Sequence, residues 1–421
     1  MGNAGPGQGV TRLAVRAGRA CDGRERGSVM TDSEQPRPIV PADAEVLTAL
    51  FSPAGRDDPQ AALRAASVPG CRYAVVNAVL HDRRFAAPTL PASADLMFQT
   101  LMRWMPRVDG DRHRRLRARF GGLFSARRVE GFRATVSARA SQLLDAIGDE
   151  VSFDLVGAFA EPLPFLVICD VMGVPQDQRD WLRQQKAALG RAFANQRDRA
   201  FVGQGNAAAR ALLGFFSALL DERAASTGDD LLSVLSAGDL TGEEDRADIV
   251  ANCLLFIVAG HMTTSTLIAA GAHLLCEHPA QRAALEADPS RWPAAVEEML
   301  RYVSPTTFTG ARARVDVDLE GERFEAGSQR LMFYAAANHD PRVFPDPDRF
   351  DIARQARGHL AFSAGPHYCL GAPLARMEAE IGLSALFRRI PALVTGQPVW
   401  RGSAPVRQIE SLPSRTRTEA G

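Results

Sequence analysis

The sequence feature that most constrains the fold is a long interval without proline. It begins at a capping box, Thr241-Gly242-Glu243-Glu244, and the next proline is Pro279. A capping box marks the first turn of a helix. The interval therefore allows a helix of about 36 residues, which is about 54 Å long at a rise of about 1.5 Å per residue. A helix of this length crosses a whole domain, so the other elements must pack around it.

The middle of this predicted helix contains small and hydroxyl-bearing residues, Ala259-Gly260-His261-Met262-Thr263-Thr264. Glycine in a helix costs about 1 kcal/mol relative to alanine, and hydroxyl side chains can bond back to backbone carbonyls. We therefore expect the helix to bend or open here. A close crossing with a second helix also requires small residues and would explain the same stretch.

The rest of the chain indicates a mainly α protein. Of its 421 residues, 46% are hydrophobic and 23% are charged, as in an ordinary globular protein. From Ser93 to about Glu277 apolar residues recur at helical spacing, which predicts at least seven helices. The expected breaks between them are at Pro106, Pro162, Pro164, Pro175 and Gly228.

A small amount of β structure is predicted at the two flanks of the helical part. The segment Tyr73-Ala74-Val75-Val76 has the composition of a short strand, and Val315, Val317 and Leu319 alternate with acidic residues. We predict one large domain, residues 36–421, with about a dozen or more helices and a small β-rich region. The remaining predicted elements are a helix at Arg291–Tyr302, an irregular meander at Asn338–Leu360 and a helix at Ala372–Arg389.

Composition excludes several classes of partner and location. The formal net charge is +0, which gives no general reason to expect a nucleic-acid partner. The apolar run from Cys253 to Gly260 is shorter than the roughly 18 residues of a membrane span. Residues 1–35 are predicted to be a disordered extension without the apolar core of a signal peptide, and Met30 could be the true start. Six cysteines without a CxxC pair fit a reducing cytoplasm. Lys186 is the only lysine among 49 cationic residues.

One cysteine lies in a setting suited to chemistry, the segment Phe362-Ser363-Ala364-Gly365-Pro366-His367-Tyr368-Cys369-Leu370-Gly371. Cys369 directly precedes the last predicted helix, whose N-terminus and free N–H groups favour a thiolate. Gly365 and Gly371 allow unusual backbone conformations and the close approach of a flat ligand. We therefore predict a metal or redox role for this sulfur. The cysteines within apolar helical runs are predicted to be inert core residues: Cys169, Cys253 and Cys276.

At this loop the sequence resembles the cytochrome P450 family of haem-thiolate monooxygenases. The family signature FxxGxHxCxG is matched by Phe362, Gly365, His367, Cys369 and Gly371. The resemblance extends over most of the chain beyond the first 35 residues. It implies the cytochrome P450 fold, haem b as the cofactor and Cys369 as the axial ligand of the haem iron, with Phe362 packed near the sulfur and the porphyrin.

A second motif, Glu298-Met299-Leu300-Arg301, matches the ExxR pattern of the same family. Alone it is weak evidence, since pairs at this spacing are common on helix surfaces and contribute about 0.2 to 0.5 kcal/mol. The resemblance implies that Glu298 and Arg301 join an arginine of the meander in a structural cluster. Arg349 is the arginine that we expect there.

Several basic residues are candidates for binding the haem propionates. His113 and Arg117 are four residues apart and share one face of a helix. In the resembling family such a pair meets the propionates, because an arginine suits a carboxylate. His367 is a third candidate. A fourth comes from Gly310-Ala311-Arg312-Ala313-Arg314, where the alignment is ambiguous by one residue and Arg312 is preferred to Arg314.

The long helix departs from the family at one position. The pattern AGx[DE]T is matched by Ala259, Gly260 and Thr263, but the acidic position is Met262. The resemblance implies that Thr263 organises water near dioxygen while the acid relays protons. A thioether carries no exchangeable proton. Either protons arrive by another route, through His261, water or a substrate hydroxyl, or the chemistry needs fewer of them.

The resemblance implies a cytoplasmic monooxygenase that hydroxylates or epoxidises a small organic substrate, in a role typical of secondary metabolism. No GxGxxG fingerprint is present, so we expect the reductase not to be fused to this chain. The resemblance implies that NAD(P)H-derived electrons come through a ferredoxin and a ferredoxin reductase. Arg127, Arg128 and the arginines beside His113 could dock an acidic ferredoxin or could be ordinary solvated charge. The expected substrate contacts are Phe98, Leu255, Ala259, Thr306, Thr307, Phe308, Gln408 and Ile409.

Two other hypotheses remain open at this stage. The missing acid suggests a haem-thiolate enzyme of the same fold that uses peroxide or catalyses coupling or rearrangement. Alternatively, Cys369 and His367 could ligate zinc in a protein without haem. Two ligands at HxC spacing without a second pair make a poor zinc site.

Overall fold

The computed structural model describes residues 39–52, 55, 62, 63, 66, 68–90, 92–224, 228, 230–236, 242–401 and 405–416. The predicted N-terminal extension, Met30 and Thr241 lie outside these residues. The α-helices of the described residues are α1 Pro41–Phe51, α2 Tyr73–His81, α3 Leu96–Met102, α4 Gly110–Gly121, α5 Ala126–Gly131, α6 Arg133–Ile147, α7 Pro162–Met172, α8 Arg179–Ala194, α9 Arg199–Arg223, α10 Leu231–Ser236, α11 Glu243–Glu277, α12 Pro279–Ala287, α13 Trp292–Val303, α14 Tyr334–Ala337 and α15 Ala372–Arg389.

The strands are short and form small antiparallel sheets at the edges of the helical body. Strands β1, β3 and β6 form one sheet, β2, β10 and β7 form another, and the pairs β4–β5 and β8–β9 are hairpins. The mainly α fold with a small β region is therefore confirmed. The strands are β1 Phe85–Ala86, β2 Ser152–Asp154, β3 Thr309–Ala313, β4 Val317–Leu319, β5 Glu322–Phe324, β6 Gln329–Met332, β7 Leu393–Thr395, β8 Val399–Arg401, β9 Gln408–Ser411 and β10 Pro413–Thr416.

The predicted long helix is α11, and it is the centre of the core. It packs against α7, α9, α13 and α15 and against strand β9. By length and composition it could also cross a membrane, but 72% of its most apolar window is buried inside the structure. Its acidic first turn, Glu243, Glu244 and Asp245, faces the positive end of the helix dipole. These features are typical of the central helix of a helical domain.

The helix is continuous through the stretch of small residues, so the prediction that it opens there is wrong. The hydroxyl of Thr263 donates to the carbonyl of Ala259 at 3.3 Å, and that of Thr266 donates to Met262 at 3.2 Å. A Cβ added to Gly260 would lie 3.3 Å from Cγ1 of Ile168 in α7. The alternative explanation is therefore confirmed, because the small residue allows α7 and α11 to cross closely.

One predicted strand is a helix. Tyr73-Ala74-Val75-Val76 begins α2, in which Val75, Val76 and Val79 are buried. These valines lie on one helical face and pack in a cluster that includes Phe85 of β1 and Ala313 of β3. Burial of this face outweighs the preference of β-branched residues for strands, which is weak and depends on context.

The other segment predictions agree with the structure. Nine helices, α3 to α11, lie between Ser93 and Glu277 within the described residues. Pro162 begins α7 and Pro164 lies in its first turn, so only the first of this pair marks a break. Helices α13 and α15 match their predicted ranges to within one residue, and β4 contains Val317 and Leu319 but not Val315. Beyond the short helix α14 the meander is irregular, as predicted.

The ExxR residues form a buried ionic cluster that holds the meander to α13. Both Glu298 and Arg301 have fully buried side chains, and Nε of Arg301 donates to Oε2 of Glu298 at 2.7 Å. Arg301 also donates to the carbonyl of Asn338 at 2.9 Å, and the amide of Asp351 donates to Glu298 at 3.1 Å. The cluster thus ties the start and the middle of the meander to one helix.

The arginine expected in this cluster was identified wrongly. Nε of Arg354, not a side-chain atom of Arg349, lies 3.2 Å from Oε1 of Glu298. The Arg349 side chain is 65% exposed and pairs with Asp351, while its backbone carbonyl accepts from Arg354 at 3.1 Å. The irregular chain turns back between these positions, so the sequence spacing does not show which side chain points inward.

Replacing Arg354 with Met should lower the free energy of unfolding by about 3 kcal/mol, because the buried Glu298 carboxylate loses one of its two cations. Arg349→Met is the matched control and should cost less than about 1 kcal/mol, as expected for an exposed ion pair. Urea unfolding of both variants measures the difference. Equal destabilisation by the two variants would contradict the assignment of Arg354.

Candidate active site

The Cys369 loop is shaped by backbone contacts on both sides of the sulfur. The amide of Cys369 donates to the carbonyl of Phe362 at 2.9 Å, which closes the loop. Gly371 is the N-cap of α15, and the amide of Ala372 donates to the carbonyl of Cys369 at 3.5 Å. The sequence folds in this way because the helix must begin with N–H groups that no earlier turn can satisfy.

Gly365 is required by the packing of the loop. Its φ is +63°, and an added Cβ would lie 2.2 Å from the carbonyl oxygen of Leu80 at the end of α2. No other residue fits there, which explains this glycine of the signature. At Gly371, by contrast, a Cβ would meet no protein atom within 4 Å. Protein atoms therefore leave open space at the α carbon of Gly371, two residues after Cys369.

Burial and helix geometry act on the Cys369 thiol in opposite directions. Burial raises its pKa, whereas the N–H groups of Gly371 and Ala372 and the charges of Arg117 and Arg376 lower it. The net pKa is raised, so the protein alone does not produce the predicted thiolate. A bound cation at the sulfur would supply the missing stabilisation, since coordination deprotonates a thiol.

The sulfur is nevertheless accessible, unlike the other cysteines at the core. Cys369 is exposed to solvent, whereas Cys169 and Cys253 are buried. Burial raises the pKa of Cys253 well above its usual value and that of Cys169 to about 12, so both thiols are protonated at neutral pH. Their predicted inert role agrees with this. Cys276 is half-buried, and its sulfur donates to the carbonyl of Leu393 at 3.4 Å.

Three predicted basic residues converge beside the cysteine loop. The rings of His113 and His367 are 4.2 Å apart, and Nη1 of Arg117 donates to the carbonyl of Tyr368 at 2.8 Å. Burial, His367 and Arg117 together lower the pKa of His113 to about 4. Nε2 of His113 is buried and has no hydrogen-bond partner. A buried nitrogen of this kind is costly unless a ligand group meets it.

Arg312 in β3 and Arg314 just after it differ in their surroundings. Arg312 lies opposite Ala86 and Gln329 in the three-stranded sheet. Arg314 lies 3.4 Å from Asp109, the carboxylate that also contacts Nε2 of His367 at 3.1 Å. Arg314 is therefore engaged in an ion pair with Asp109.

These observations test whether the residues suit a haem. The group has two carboxylates and an iron atom with an axial position, so it needs cationic donors and one soft ligand. The accessible sulfur, the unpartnered nitrogen of His113 and the open space at Gly371 supply these features. The residues therefore fit the cofactor. No three His, Cys, Asp or Glu side chains come together as a metal site in the described part of the chain, so the zinc hypothesis has no support.

Helix α11 has accessible residues in the middle of its length, and we call the space beside them the cavity. Ala259 is exposed although it lies in the middle of a core helix, and Met262 and Thr263 are half-buried. These residues therefore border an internal space. His261 is buried and points elsewhere, with its Nε2 atom 2.5 Å from Nζ of Lys186 in α8. Sequence reasoning did not assign a role to Lys186, and its rarity in the sequence is the signal that could have indicated one.

The predicted substrate residues differ in how deeply they are buried and in which elements they pack against. Phe98 packs edge-on against Phe193, with 6.0 Å between the ring centroids. Leu255 and Ile409 are buried, and Thr306 and Gln408 are half-buried. The Thr307 hydroxyl is buried without a hydrogen-bond partner, and the ring of Phe308 packs 5.7 Å from that of Phe333. The last two residues thus lie within the sheet region.

Comparison with known proteins gives a consistent result. Residues 292–398 match the family model described as cytochrome P450. The chain is 39% identical over 313 residues to 6-deoxyerythronolide B hydroxylase of Saccharopolyspora erythraea, covering 73% of this chain and 76% of that protein. It is 39% identical over 370 residues to the cytochrome P450 monooxygenase PikC of Streptomyces venezuelae, covering 83% and 85% of the two chains.

A solved structure agrees in fold along most of the chain. It is P450BioI in complex with an acyl carrier protein that carries hexadec-9Z-enoic acid, with a TM-score of 0.80 and 32% identity. The match covers 87% of this chain and 100% of that one. Together with the fold and the cysteine loop, these similarities show that the chain belongs to the cytochrome P450 family and is a cytochrome P450 monooxygenase.

Proposed function

We propose that this chain binds haem b with Cys369 as the axial ligand and hydroxylates or epoxidises a small organic substrate. The observation that carries this proposal is the accessible Cys369 sulfur at the N-terminus of α15, beside the unpartnered buried nitrogen of His113. Haem bound there supplies oxygen activation, and thiolate ligation favours scission of the oxygen–oxygen bond.

Other residues of the chain would hold the cofactor and a proton. His113, Arg117, Arg312 and His367 would hold the carboxylates of the cofactor, because arginine and histidine N–H groups are hydrogen-bond donors suited to a carboxylate. Phe362 is buried, and its carbonyl fixes the Cys369 amide. On the far side, Thr263 would hold a proton at Oγ1 next to the exposed Ala259.

Met262, which stands where the family pattern has an acid, is the reason to consider a second candidate function for this chain. Without an acid at this position, the turn has no side-chain carboxyl to hold a proton for the reaction. A peroxide-driven reaction brings its own protons, and a coupling or rearrangement needs fewer of them. The reductase-driven reaction is the leading proposal because PikC and 6-deoxyerythronolide B hydroxylase are named as a monooxygenase and a hydroxylase.

We propose a ferredoxin and its NAD(P)H-dependent reductase as electron donors, in the cytoplasm. Arg114, Arg115 and Arg127 are exposed on α4 and α5, and α5 packs against α15, which follows the cysteine loop. Basic side chains near the sulfur suit an acidic partner, since complementary charge speeds association. The names of the relatives support a substrate of secondary metabolism.

Cys369→Ala should abolish the strongly red-shifted Soret band of the ferrous carbon monoxide complex, because an alanine offers no ligand to iron. Cys276→Ala removes another partly accessible thiol and should leave the band unchanged. Optical spectra of the two purified variants decide the assignment. A wild-type protein without pigment, or a red-shifted band that persists in Cys369→Ala, would contradict the proposal.

Met262→Glu should raise the share of consumed electrons that appears in product and should speed product formation at least about tenfold, since a positioned acid typically speeds a proton transfer 10²- to 10⁴-fold. Met262→Gln is the matched control, because it has nearly the same size but cannot release a proton at neutral pH. Product and peroxide are measured against NADPH consumed. Unchanged coupling in the glutamate variant would remove this position from the mechanism.

Arg127→Glu should slow reduction by an acidic ferredoxin about tenfold at low salt, with a smaller effect at high salt, because exposed charges are screened. Reduction by dithionite should not change. Arg210→Glu, an exposed arginine of α9, serves as the control. Equal rates for the two variants would show that the basic residues of α5 are ordinary solvated charge.

A further inference from the structure

The only lysine of the chain has a largely buried side chain. Lys186 lies in α8, and its side chain is 11% exposed, while all other cations among the 49 are arginine. Where composition favours arginine so strongly, a single lysine indicates a property that arginine lacks. The ammonium group is compact, whereas the guanidinium is a large planar fork.

The ammonium of Lys186 fits between groups from two other helical segments. Its Nζ atom lies 2.5 Å from Nε2 of His261 and 3.4 Å from Oε1 of Glu161. It also lies 5.1 Å from the centre of the Phe165 ring, within the range of a cation–π contact. These three partners fill the space around the ammonium.

His261 is suited to accept this hydrogen bond. It is 2% exposed, and its Nδ1 atom lies 3.0 Å from the carbonyl oxygen of Ile257. Because a carbonyl can only accept, Nδ1 carries the ring proton and Nε2 presents a lone pair to Lys186. Burial and the charge of Lys186 lower the pKa of His261 well below its usual value, so the ring is neutral.

The bond joins α8 to α11 beside the turn that borders the cavity. His261 lies between Gly260 and Met262, two residues from the exposed Ala259. In the described part of the chain it makes the one side-chain hydrogen bond between α8 and α11 that the structure shows. Apart from this bond, α8 packs chiefly against α9.

Further attachments of α8 lie towards its two ends. Near the C-terminal end, Phe193 packs edge-on against Phe98 of α3 at 6.0 Å and against Trp104 at 6.2 Å. Near the N-terminal end, Arg179 donates to Asp170 of α7 at 2.7 Å, and the ring of Trp181 lies 5.2 Å from that of Phe215 in α9. These contacts hold α8 to α3, α7 and α9, whereas the Lys186 bond links it to α11.

We propose that Lys186 is a positioning residue that sets the distance of α8 from the cavity turn of α11 and thereby the room available to a bulky ligand. The inference rests on the proposed function, because the cavity is taken to hold a haem and its substrate. A lysine is required because Arg183 already occupies the neighbouring space, 4.7 Å above the Phe165 ring and 3.9 Å from Glu161. A second guanidinium would not fit there.

The test compares Lys186→Met and Lys186→Arg with the matched control Arg183→Met in the haem-loaded enzyme. Arg183 shares the contacts to Phe165 and Glu161 but makes no bond to α11. Two azoles that coordinate iron serve as optical probes: clotrimazole, which is bulky, and imidazole, which is small. Both Lys186 variants should bind clotrimazole at least about fivefold more weakly than the wild type, with imidazole affinity within about twofold. The control should bind both azoles like the wild type.

Hydrogen exchange gives a readout that does not depend on catalysis. The backbone amides of α8 should exchange at least about tenfold faster in Lys186→Met, while those of α9 change little. His261→Phe keeps an aromatic ring beside Phe165 but removes the acceptor. It should reproduce the effect of Lys186→Met, and the double variant should add nothing further.

The outcomes separate the inference from the proposed function. Unchanged clotrimazole affinity and unchanged exchange in Lys186→Met would overturn the inference, as would additive effects in the double variant. Wild-type behaviour of Lys186→Arg would also overturn it, because any cation would then suffice. If wild-type protein shows no optical response to imidazole, the proposed function fails, and the exchange experiment still decides whether Lys186 positions α8.

Discussion

Burial of the central helix α11 is the constraint on which the other elements depend. Residues on several of its faces are buried, so helices from different parts of the chain must cover it. Two of these crossings have a glycine of α11 at the contact. Gly260 admits Ile168 of α7, and a Cβ at Gly271 would lie 2.8 Å from the sulfur of Met299 in α13. The helix thereby sets the distance between the layers that enclose the cavity.

The cysteine loop is organised by opposing physical effects. The N-terminus of α15 and nearby arginines favour a charged sulfur, but desolvation opposes it and has the larger effect on the pKa. A site of this kind is incomplete without a cation. The basic residues around His113 show the complementary property, since burial and mutual repulsion keep His113 neutral until an anion compensates them. The Cys369 sulfur and the basic residues around His113 together suit a haem, which has an iron atom and two carboxylates.

Prediction from sequence succeeded where local chemistry decides and failed where packing decides. The long helix, α13, α15 and the cysteine loop follow from proline positions, helical spacing and a dense motif. Tyr73-Ala74-Val75-Val76 was predicted as a strand but is helical, because its valines are buried on one helical face. Arg349 was expected in the ion cluster, yet the meander turns Arg354 inward. The roles of the substrate residues and of the N-terminal extension stay predictions.

The sequence by itself determined the family signature, the missing acid at Met262 and the helical character of the chain. These depend on residue identity and on spacing along one element. Only the tertiary structure decided that His261 points away from the cavity, that its partner is Lys186, and that Arg354 reaches Glu298. Such pairs join segments far apart in the chain, and their geometry follows from how the helices pack rather than from any local pattern.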